Sequence, residues 1–261
     1  MSGFYIGVGG KAQKTKGCYI GVNDVARKIK KIYLGDENGL AKEVYSSGKK
    51  LSEYTVGSTV YLLENGSPVE YLIVHKGLPD KTLYDNSCDG IWLLRKDIIT
   101  TMPFGSTNNN YQNSSINTYL NDEFLNRFNN KSIIKQVKIP YITGNNSNDL
   151  STKIFLLSCY EVGLTTAIHE YIPVDGAKLD YFEIGDTANG TDSKKRIAYL
   201  SGSSTSWWLR SATNGISTMA SYIGINGRYG YSEYTMQRGV RPVLILPHGA
   251  TIDPNTNTII G

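Results

Sequence analysis

The chain has 261 residues, of which 40% are hydrophobic and 19% charged, and this composition fits one large globular domain or two small ones. No run of about 18 apolar residues is present, which argues against a membrane-spanning helix. The first residues lack the apolar segment and cleavage site of a signal peptide, so we expect synthesis in a cytoplasm. Three widely separated cysteines, Cys18, Cys88 and Cys159, do not form a disulfide framework.

The net charge of +4 is unevenly distributed along the chain. Residues 1–50 carry ten Lys and Arg against four Asp and Glu, whereas residues 51–261 carry 17 against 19. A basic segment can bind nucleic acid or an acidic protein partner. Because the basic residues are interleaved with a strand-like repeat, we favour docking to a protein over binding to nucleic acid.

The basic segment contains an internal repeat with a spacing of 14 residues. The sequence YIGVG at 5–9 recurs as YIGVN at 19–23 and as YLGDE at 33–37. Each unit fits a short strand, a turn at Gly-Gly or Asn-Asp, and a second strand. A single hairpin of this size is unstable alone, but stacked units could bury a shared face. We therefore predict a docking arm over 1–48, with a flexible basic tail as the alternative, a linker at 46–50 and a head over 49–261.

The head alternates short strand patterns with loops. Strands are predicted at 60–63, 69–75, 91–95, 153–158, 207–210, 218–225 and 240–246. An amphipathic helix is predicted from a Ser114 or Ser115 cap to Phe128, and shorter helices at 158–163 and 193–200. The GNNSND sequence at 144–149 is expected to be a polar loop. The pattern predicts an α+β fold with short strands, two or three helices and long loops.

Residues 212–238 form a segment of unusual composition between two strand patterns. They include four Tyr, four Gly, three Ser and two Asn, no Lys, and Glu233 as their single acid. Antibody binding loops use a similar mixture, because Tyr supplies rigid contact and Ser, Gly and Asn supply adaptable hydrogen bonds. Alternation predicts that Met219, Ser221, Ile223 and Ile225 face the core, and the Asn226-Gly227 sequence favours a tight turn. The outer side would then carry Tyr222, Arg228, Tyr229, Tyr231 and Tyr234.

This segment, residues 212–238, is therefore the candidate ligand-binding face. A solvent face without a specific ligand remains the alternative. The candidate ligand-binding residues are Asn214, Tyr222, Asn226, Arg228, Tyr229, Tyr231, Glu233 and Tyr234.

Several motifs in chain order resemble those of a known domain. They are YLIVHKG at 71–77, WLLR at 92–95, FLLS at 155–158, WWLRS at 207–211 and GVRP at 239–242. Over most of residues 55–247 the chain resembles a domain of unknown function frequent in phages and prophages of gut-dwelling Gram-positive bacteria. The interval from WWLRS to GVRP also resembles the end of a C-type-lectin-like fold. It is similar there to the major tropism determinant of phages and to other variable proteins of diversity-generating retroelements.

The resemblance implies a receptor-binding protein at the tip of a phage tail, often a homotrimer, with residues 212–238 as a variable face. The partners it implies are a bacterial cell-surface protein or glycan and, through residues 1–48, other phage tail proteins. The virion is then the site of action, without membrane insertion. Two alternatives remain: a structural baseplate or decoration protein, and a hydrolase of cell-wall glycans.

The residue patterns of catalysis and metal binding are weak in this chain. No catalytic residue, metal site or cofactor is predicted. His75, His169 and His248 are isolated, so no zinc-binding helix is indicated. A glycan hydrolase would need two carboxylates that face each other. The sequence offers acids for this role, but no pattern distinguishes them: Glu161, Glu170, Asp175, Asp180 and Glu183. Arg210 and Arg241 lie inside apolar strands, where we expect structural pairing, and Trp207, Trp208 and Pro242 are expected in the core.

Overall fold

The structure, a computed structural model, describes residues 5–8, 11–14, 19–22, 25–29, 31–35, 41–46, 48–143 and 146–261. Each N-terminal repeat unit forms an antiparallel hairpin of two short strands. These strands are β1 (Tyr5–Val8), β2 (Lys11–Lys14), β3 (Tyr19–Val22), β4 (Val25–Lys28), β5 (Lys31–Gly35) and β6 (Ala41–Ser46). The predicted hairpins are confirmed. The turn residues predicted between the strands, at 9–10 and 23–24, lie outside the described residues, as does Cys18.

An eight-stranded sheet organises most of the head. In spatial order its strands are β14 (Ile154–Leu156), β21 (Pro242–Leu246), β10 (Gly90–Arg95), β9 (Ser67–Gly77), β8 (Thr59–Glu64), β23 (Thr258–Ile259), β22 (Thr251–Asp253) and β7 (Lys49–Lys50). Neighbouring strands are antiparallel except for β23 and β8. β21 is buried along its whole length and β10 along all but its last residue, which explains their continuous apolar sequences. The predicted linker at 46–50 is wrong for Lys49–Lys50, which pairs with β22.

A second sheet of five strands carries the candidate ligand-binding face. Its order is β11 (Thr101–Met102), β20 (Arg238–Gly239), β17 (Trp207–Ala212), β18 (Met219–Ile223) and β19 (Tyr229–Glu233). β17 and β20 pair in parallel through Trp207 and Gly239, and the β17–β18 register shifts between Trp208 and Ala212. The strands that flank the predicted binding segment are thus neighbours in one sheet.

Two further hairpins complete the strands of the head. They are β12 (Val137–Thr143) with β13 (Asn146–Thr152), and β15 (Tyr199–Leu200) with β16 (Ser203–Ser204). The polar-loop prediction at 144–149 is wrong where β13 begins, because Asn146 to Asp149 pair with β12. Residues 144 and 145 lie outside the described residues.

Helical structure is short and irregular. The helix α1 (Ser115–Thr118) begins after Ser114, whose hydroxyl accepts a hydrogen bond from the Asn117 amide at 3.0 Å. A π turn over Tyr119–Glu123 and a 3-10 turn over Phe124–Arg127 continue it, so the predicted helix is confirmed in place but not as regular α-helix. The other helical elements are α2 (Thr191–Lys194) and 3-10 turns at Leu51–Glu53, Asn86–Cys88, Tyr111–Asn113 and Lys131–Ile133.

The predicted fold class is wrong. The protein is 37% strand and 13% helix, a β-rich fold and not an α+β, C-type-lectin-like one. The expected helix at 158–163 is a series of turns, and the expected helix at 193–200 reduces to the end of α2 followed by β15. A single polar turn has the same sequence pattern as the start of a helix. The local preference for helix is weak, and the rest of the fold overrides it here.

The core lies between the sheets and the segments that cover them. Trp92, Trp207 and Trp208 are fully buried, and Trp92 meets Phe155 edge-on at a centroid distance of 5.6 Å. The predicted core positions of Trp207, Trp208 and Pro242 are confirmed. Across the described ranges, no helix combines the length and apolarity needed to cross a membrane.

Candidate ligand-binding face

The β18–β19 hairpin turns at residues 224–228, where the Asn226 side chain accepts a hydrogen bond from the Arg228 amide at 3.2 Å. Gly227 has a φ of +79°, and a Cβ at this position would lie 1.9 Å from the Ser193 carbonyl oxygen. Only glycine fits this turn without displacing the backbone. The predicted tight turn at Asn226-Gly227 is confirmed.

Strand register divides the predicted site residues between two faces of the sheet. Ile223 pairs with Tyr229 and Ser221 with Tyr231, whereas Tyr222 pairs with Gly230. Directly paired residues share a face, and successive residues alternate. Tyr229 and Tyr231 therefore share the face of Ser221, and Tyr222 points to the opposite one. The prediction that all four tyrosines project from one outer side is wrong.

Four half-buried rings form a continuous surface, which we call the aromatic patch: His169, Tyr171, Tyr229 and Tyr231. The His169 ring centroid lies 4.9 Å from that of Tyr171, 5.4 Å from Tyr229 and 5.7 Å from Tyr231. Tyr171 meets Tyr231 edge-on at 5.5 Å. Such tilted and edge-to-face arrangements are favourable for aromatic rings, so the patch is packed before any ligand arrives.

Backbone hydrogen bonds hold the two halves of the aromatic patch in place. The Tyr171 amide donates to Nδ1 of His169 at 3.2 Å, and the Asn214 amide donates to the Tyr171 carbonyl at 2.8 Å. The Tyr229 amide donates to the Asp186 carboxylate at 2.9 Å. Asn214, a predicted site residue, is exposed and belongs to the edge of the patch.

The remaining predicted residues have different surroundings. Arg228 donates to the Asp186 carbonyl at 3.1 Å and so ties the hairpin turn to a neighbouring loop. Glu233 is exposed and lies on the patch side of β19, two positions beyond Tyr231. Tyr234 is half-buried against the core, and its carbonyl accepts a hydrogen bond from the Gly105 amide at 3.2 Å. Ile225, expected to face the core, is 63% exposed.

A buried ion pair lies in the core behind β17. Arg210 donates from Nη1 to Glu161 at 2.5 Å and from Nη2 at 2.7 Å, and the Tyr84 hydroxyl donates to the same carboxylate at 2.7 Å. Burial by itself lowers the pKa of Arg210, but the charge of Glu161 outweighs burial and the pKa is raised. The predicted structural role of Arg210 is confirmed. Because both oxygens of Glu161 are engaged in hydrogen bonds, it does not have the free carboxylate that a glycan hydrolase needs.

Beneath the aromatic patch is a second group of buried polar side chains, which we call the polar cluster: Asp175, Ser211, Thr213, Ser221 and the Tyr229 hydroxyl. The Ser211 hydroxyl donates to the Asp175 carboxylate at 2.5 Å. Among the described residues, Asp175 Oδ1, Thr213 Oγ1, Ser221 Oγ and the Tyr229 hydroxyl have no hydrogen-bond partner. Burial raises the pKa of Asp175 to about 6, and burial likewise raises the pKa of Tyr229.

The opposite face of the hairpin carries a stacked arrangement, the arginine stack of Trp208, Tyr222 and Arg238. The Arg238 guanidinium carbon lies 3.4 Å from the Tyr222 ring centroid and 5.4 Å from Trp208. Arg238 also donates to the Ser232 hydroxyl at 3.0 Å and to the Ser206 hydroxyl at 2.9 Å. Tyr222 is thus a packing residue between core and surface.

Most of the head matches a known protein family. Residues 89–248 match the model of a family described as a domain of unknown function (DUF6273). The chain belongs to this family. No curated protein and no solved structure matches the chain. The aromatic patch, the polar cluster and the arginine stack all lie inside the matched DUF6273 domain, so they belong to the domain itself and not to the N-terminal repeats.

Cys159, inside the matched domain, and Cys88, one residue before it, both have buried thiols of low reactivity. Burial raises the pKa of both Cys88 and Cys159 to about 12, so neither is a thiolate at neutral pH. Cys88 donates its thiol hydrogen to the Lys138 carbonyl at 3.0 Å. Within the part of the chain that the structure describes, no three His, Cys, Asp or Glu side chains group as a metal site.

The sequence patterns did not identify His169 and Tyr171 as site residues, nor Arg238. The strand that brings Tyr229 and Tyr231 to His169 lies far downstream in the sequence. No local pattern identifies His169 and Tyr171, because they lie in a turn, where the Ile172 amide donates to the His169 carbonyl at 3.1 Å.

Proposed function

We propose that this DUF6273 protein is a receptor-binding protein of a phage tail, and that its aromatic patch binds a bacterial cell-surface protein or glycan. The observation that carries the proposal is the packed, half-exposed surface of four aromatic rings. Tyrosine supplies large contact area at a small cost in conformational entropy and is enriched where proteins bind ligands. A ligand meeting rings that are already packed loses less free energy to ordering them.

The N-terminal repeats supply the docking part of this proposal. Three successive hairpins in a basic segment offer a surface for an acidic tail protein, and several copies on one tail would add avidity to weak individual contacts. A homotrimer is the expected assembly. Diversification of residues 212–238 belongs to the same proposal, with Tyr229 and Tyr231 among the positions whose change alters ligand choice.

The experiment that tests the proposal compares binding of three purified proteins to whole bacterial cells. The patch variant carries Tyr171→Ala and Tyr231→Ala, and the control carries Tyr199→Ala, which removes an exposed tyrosine outside the patch. Tyr222 is left unchanged because it packs against Trp208. We expect the patch variant to bind at least about tenfold more weakly, a loss of about 1.4 kcal/mol.

Thermal melting of the three proteins provides the folding control. Equal binding by the patch variant and the wild-type protein would contradict the proposal. If instead the patch variant binds normally but fails to assemble into tails, the aromatic patch is a subunit interface, and the structural alternative replaces the receptor-binding one.

A further inference from the structure

Most arginines from residue 48 onward pair with a carboxylate. The pairs are Arg95–Glu64, Arg127–Glu123, Arg196–Asp186 and Asp192, Arg210–Glu161, and Arg228–Asp186. Among the described residues, Arg238 and Arg241 have no such partner. A charge that is partly withdrawn from water without a counter-charge is costly, so each exception needs a physical explanation.

Arg241 is enclosed by the protein. It is fully buried, donates from Nε to the Arg95 carbonyl at 3.0 Å, and lies over the Trp207 ring at 5.1 Å. Burial lowers its pKa to about 10. Its structural role, predicted from sequence, is confirmed by the carbonyl bond, and no ligand can reach it without opening the core.

Arg238 differs because it is half-buried at the surface and its direction is fixed. The Tyr222 ring supports the guanidinium from one side at 3.4 Å, and the neutral hydroxyls of Ser232 and Ser206 accept from Nε and Nη1. These partners orient the group but supply no negative charge. The hydrogen bonds made within the described chain leave Nη2 available.

The nearby sequence adds no acid on this side of the sheet. From Tyr234 to Val240 the only charged residue is Arg238. Glu233 follows Ser232 on β19 and therefore points to the opposite face, with Tyr231. Burial lowers the pKa of Arg238, and the neighbouring Tyr222 partly opposes that change.

We infer that Arg238 anchors an oxyanion-binding site, which takes a carboxylate or phosphate group of a ligand on the Tyr222 face of the β18–β19 hairpin. A guanidinium held by stacking presents its remaining N–H donors in a fixed direction, and hydrogen bonds to an anion are stronger than those between neutral groups. An anion would also supply the missing counter-charge. The site lies on the face opposite the aromatic patch, so it does not rest on the proposed receptor-binding function.

The test follows the Arg238 Nε–H resonance by NMR while glycerol 1-phosphate or glucuronate is added to the full chain. We expect a saturating shift with a dissociation constant on the order of 1 mM, since such ligands have few non-hydrogen atoms. Glycerol and methyl glucoside, which resemble the probes but carry no charge, should give no saturating shift. Tighter binding of one anion assigns the source as a phosphate or a uronic acid.

Variants separate the site from general positive charge. Arg238→Gln should weaken anion binding at least tenfold, measured by calorimetry, and Arg238→Lys should weaken it several-fold because an ammonium lacks the planar donor group. Arg127→Gln is the matched control, since Arg127 is a partly exposed arginine already paired with Glu123 outside residues 212–238, and it should bind as the wild type does.

Three results would overturn the inference: no saturable binding of either anion, equal binding by the Arg238→Gln and wild-type proteins, or equal shifts with the uncharged analogues. The analogue comparison uses only wild-type protein, so it decides the question even if Arg238→Gln fails to fold.

Discussion

The two faces of the β18–β19 hairpin use tyrosine in different ways. On one face, Tyr229 and Tyr231 join two rings from another segment above side chains that lack partners. On the other, Tyr222 packs against both Trp208 and the Arg238 guanidinium, and the Arg238 nitrogens donate hydrogen bonds to serine hydroxyls. The residue type is the same, and the alternation of the strand decides whether it offers a surface or fills a space. Composition alone therefore cannot distinguish contact tyrosines from packing tyrosines.

The largest effect is expected from breaking the buried Arg210–Glu161 ion pair behind β17. Glu161→Gln removes the negative charge that compensates buried Arg210, so the free energy of unfolding should fall by about 3–5 kcal/mol. Urea unfolding measures this change. Glu183→Gln, which breaks the exposed pair with Lys195, is the control and should change the free energy of unfolding far less. Similar losses of stability in the two variants would show that Glu161 does not compensate the buried charge of Arg210.

The next largest effect is expected on the aromatic-patch side, where stability should depend on pH through Asp175 of the polar cluster. Burial raises the pKa of Asp175 to about 6 in the folded protein, whereas an unfolded Asp titrates near about 3.9. Between these values the folded state holds a proton that the unfolded state has lost. The contribution of Asp175 to stability is therefore fully present below about pH 4 and is lost as pH rises through 6.

Asp175→Asn removes this titration. The stability of the variant relative to the wild type should rise by about 2–3 kcal/mol between pH 4 and pH 7, measured by urea unfolding at each pH. Asp122→Asn, at an exposed carboxylate, is the control for the substitution itself. A stability difference between Asp175→Asn and the wild type that does not change with pH would contradict this account.

A smaller effect should sharpen the account of the Tyr222 face. A Cβ at Gly230 would lie 2.4 Å from Cζ of Tyr222, so Gly230→Ala should overpack the face and cost roughly 1–2 kcal/mol. In the Tyr222→Ala background the same change should cost much less, because the ring that it meets is gone. A double-mutant cycle with thermal or urea unfolding gives this coupling. Additive losses would contradict the cross-strand contact.

Local features of the fold were predictable, and long-range ones were not. Repeat hairpins, the turn at Gly227 and the burial of Trp207 and Trp208 depend on neighbouring residues, and the sequence patterns identified them. Fold class was wrong because short turns resemble helix starts. The aromatic patch was half identified, since Tyr229 and Tyr231 lie in the predicted segment while His169 and Tyr171 reach them only through tertiary packing.

The site prediction placed Tyr229 and Tyr231 on the wrong face for a specific reason. Alternation along β18 correctly predicted that Ser221 and Ile223 face the core. Their cross-strand partners, Tyr231 and Tyr229, lie on the same face of the edge strand β19, where they stay half-buried. The burial of side chains therefore varies between the two strands of a pair as well as between the two faces of the sheet.

The parallel pairing of Trp207 with Gly239 has a consequence for engineering. It fixes β17 and β20, the strands that flank the segment, side by side in one sheet, so the segment between them can be treated as an exchangeable cassette. Closing a loop costs entropy that grows only slowly with its length, so the scaffold should accept inserts of different sizes. A combinatorial library would randomise Asn214, Tyr231 and Glu233 and hold Ser221, Gly227 and Gly230 constant, because these three have no room for a larger side chain.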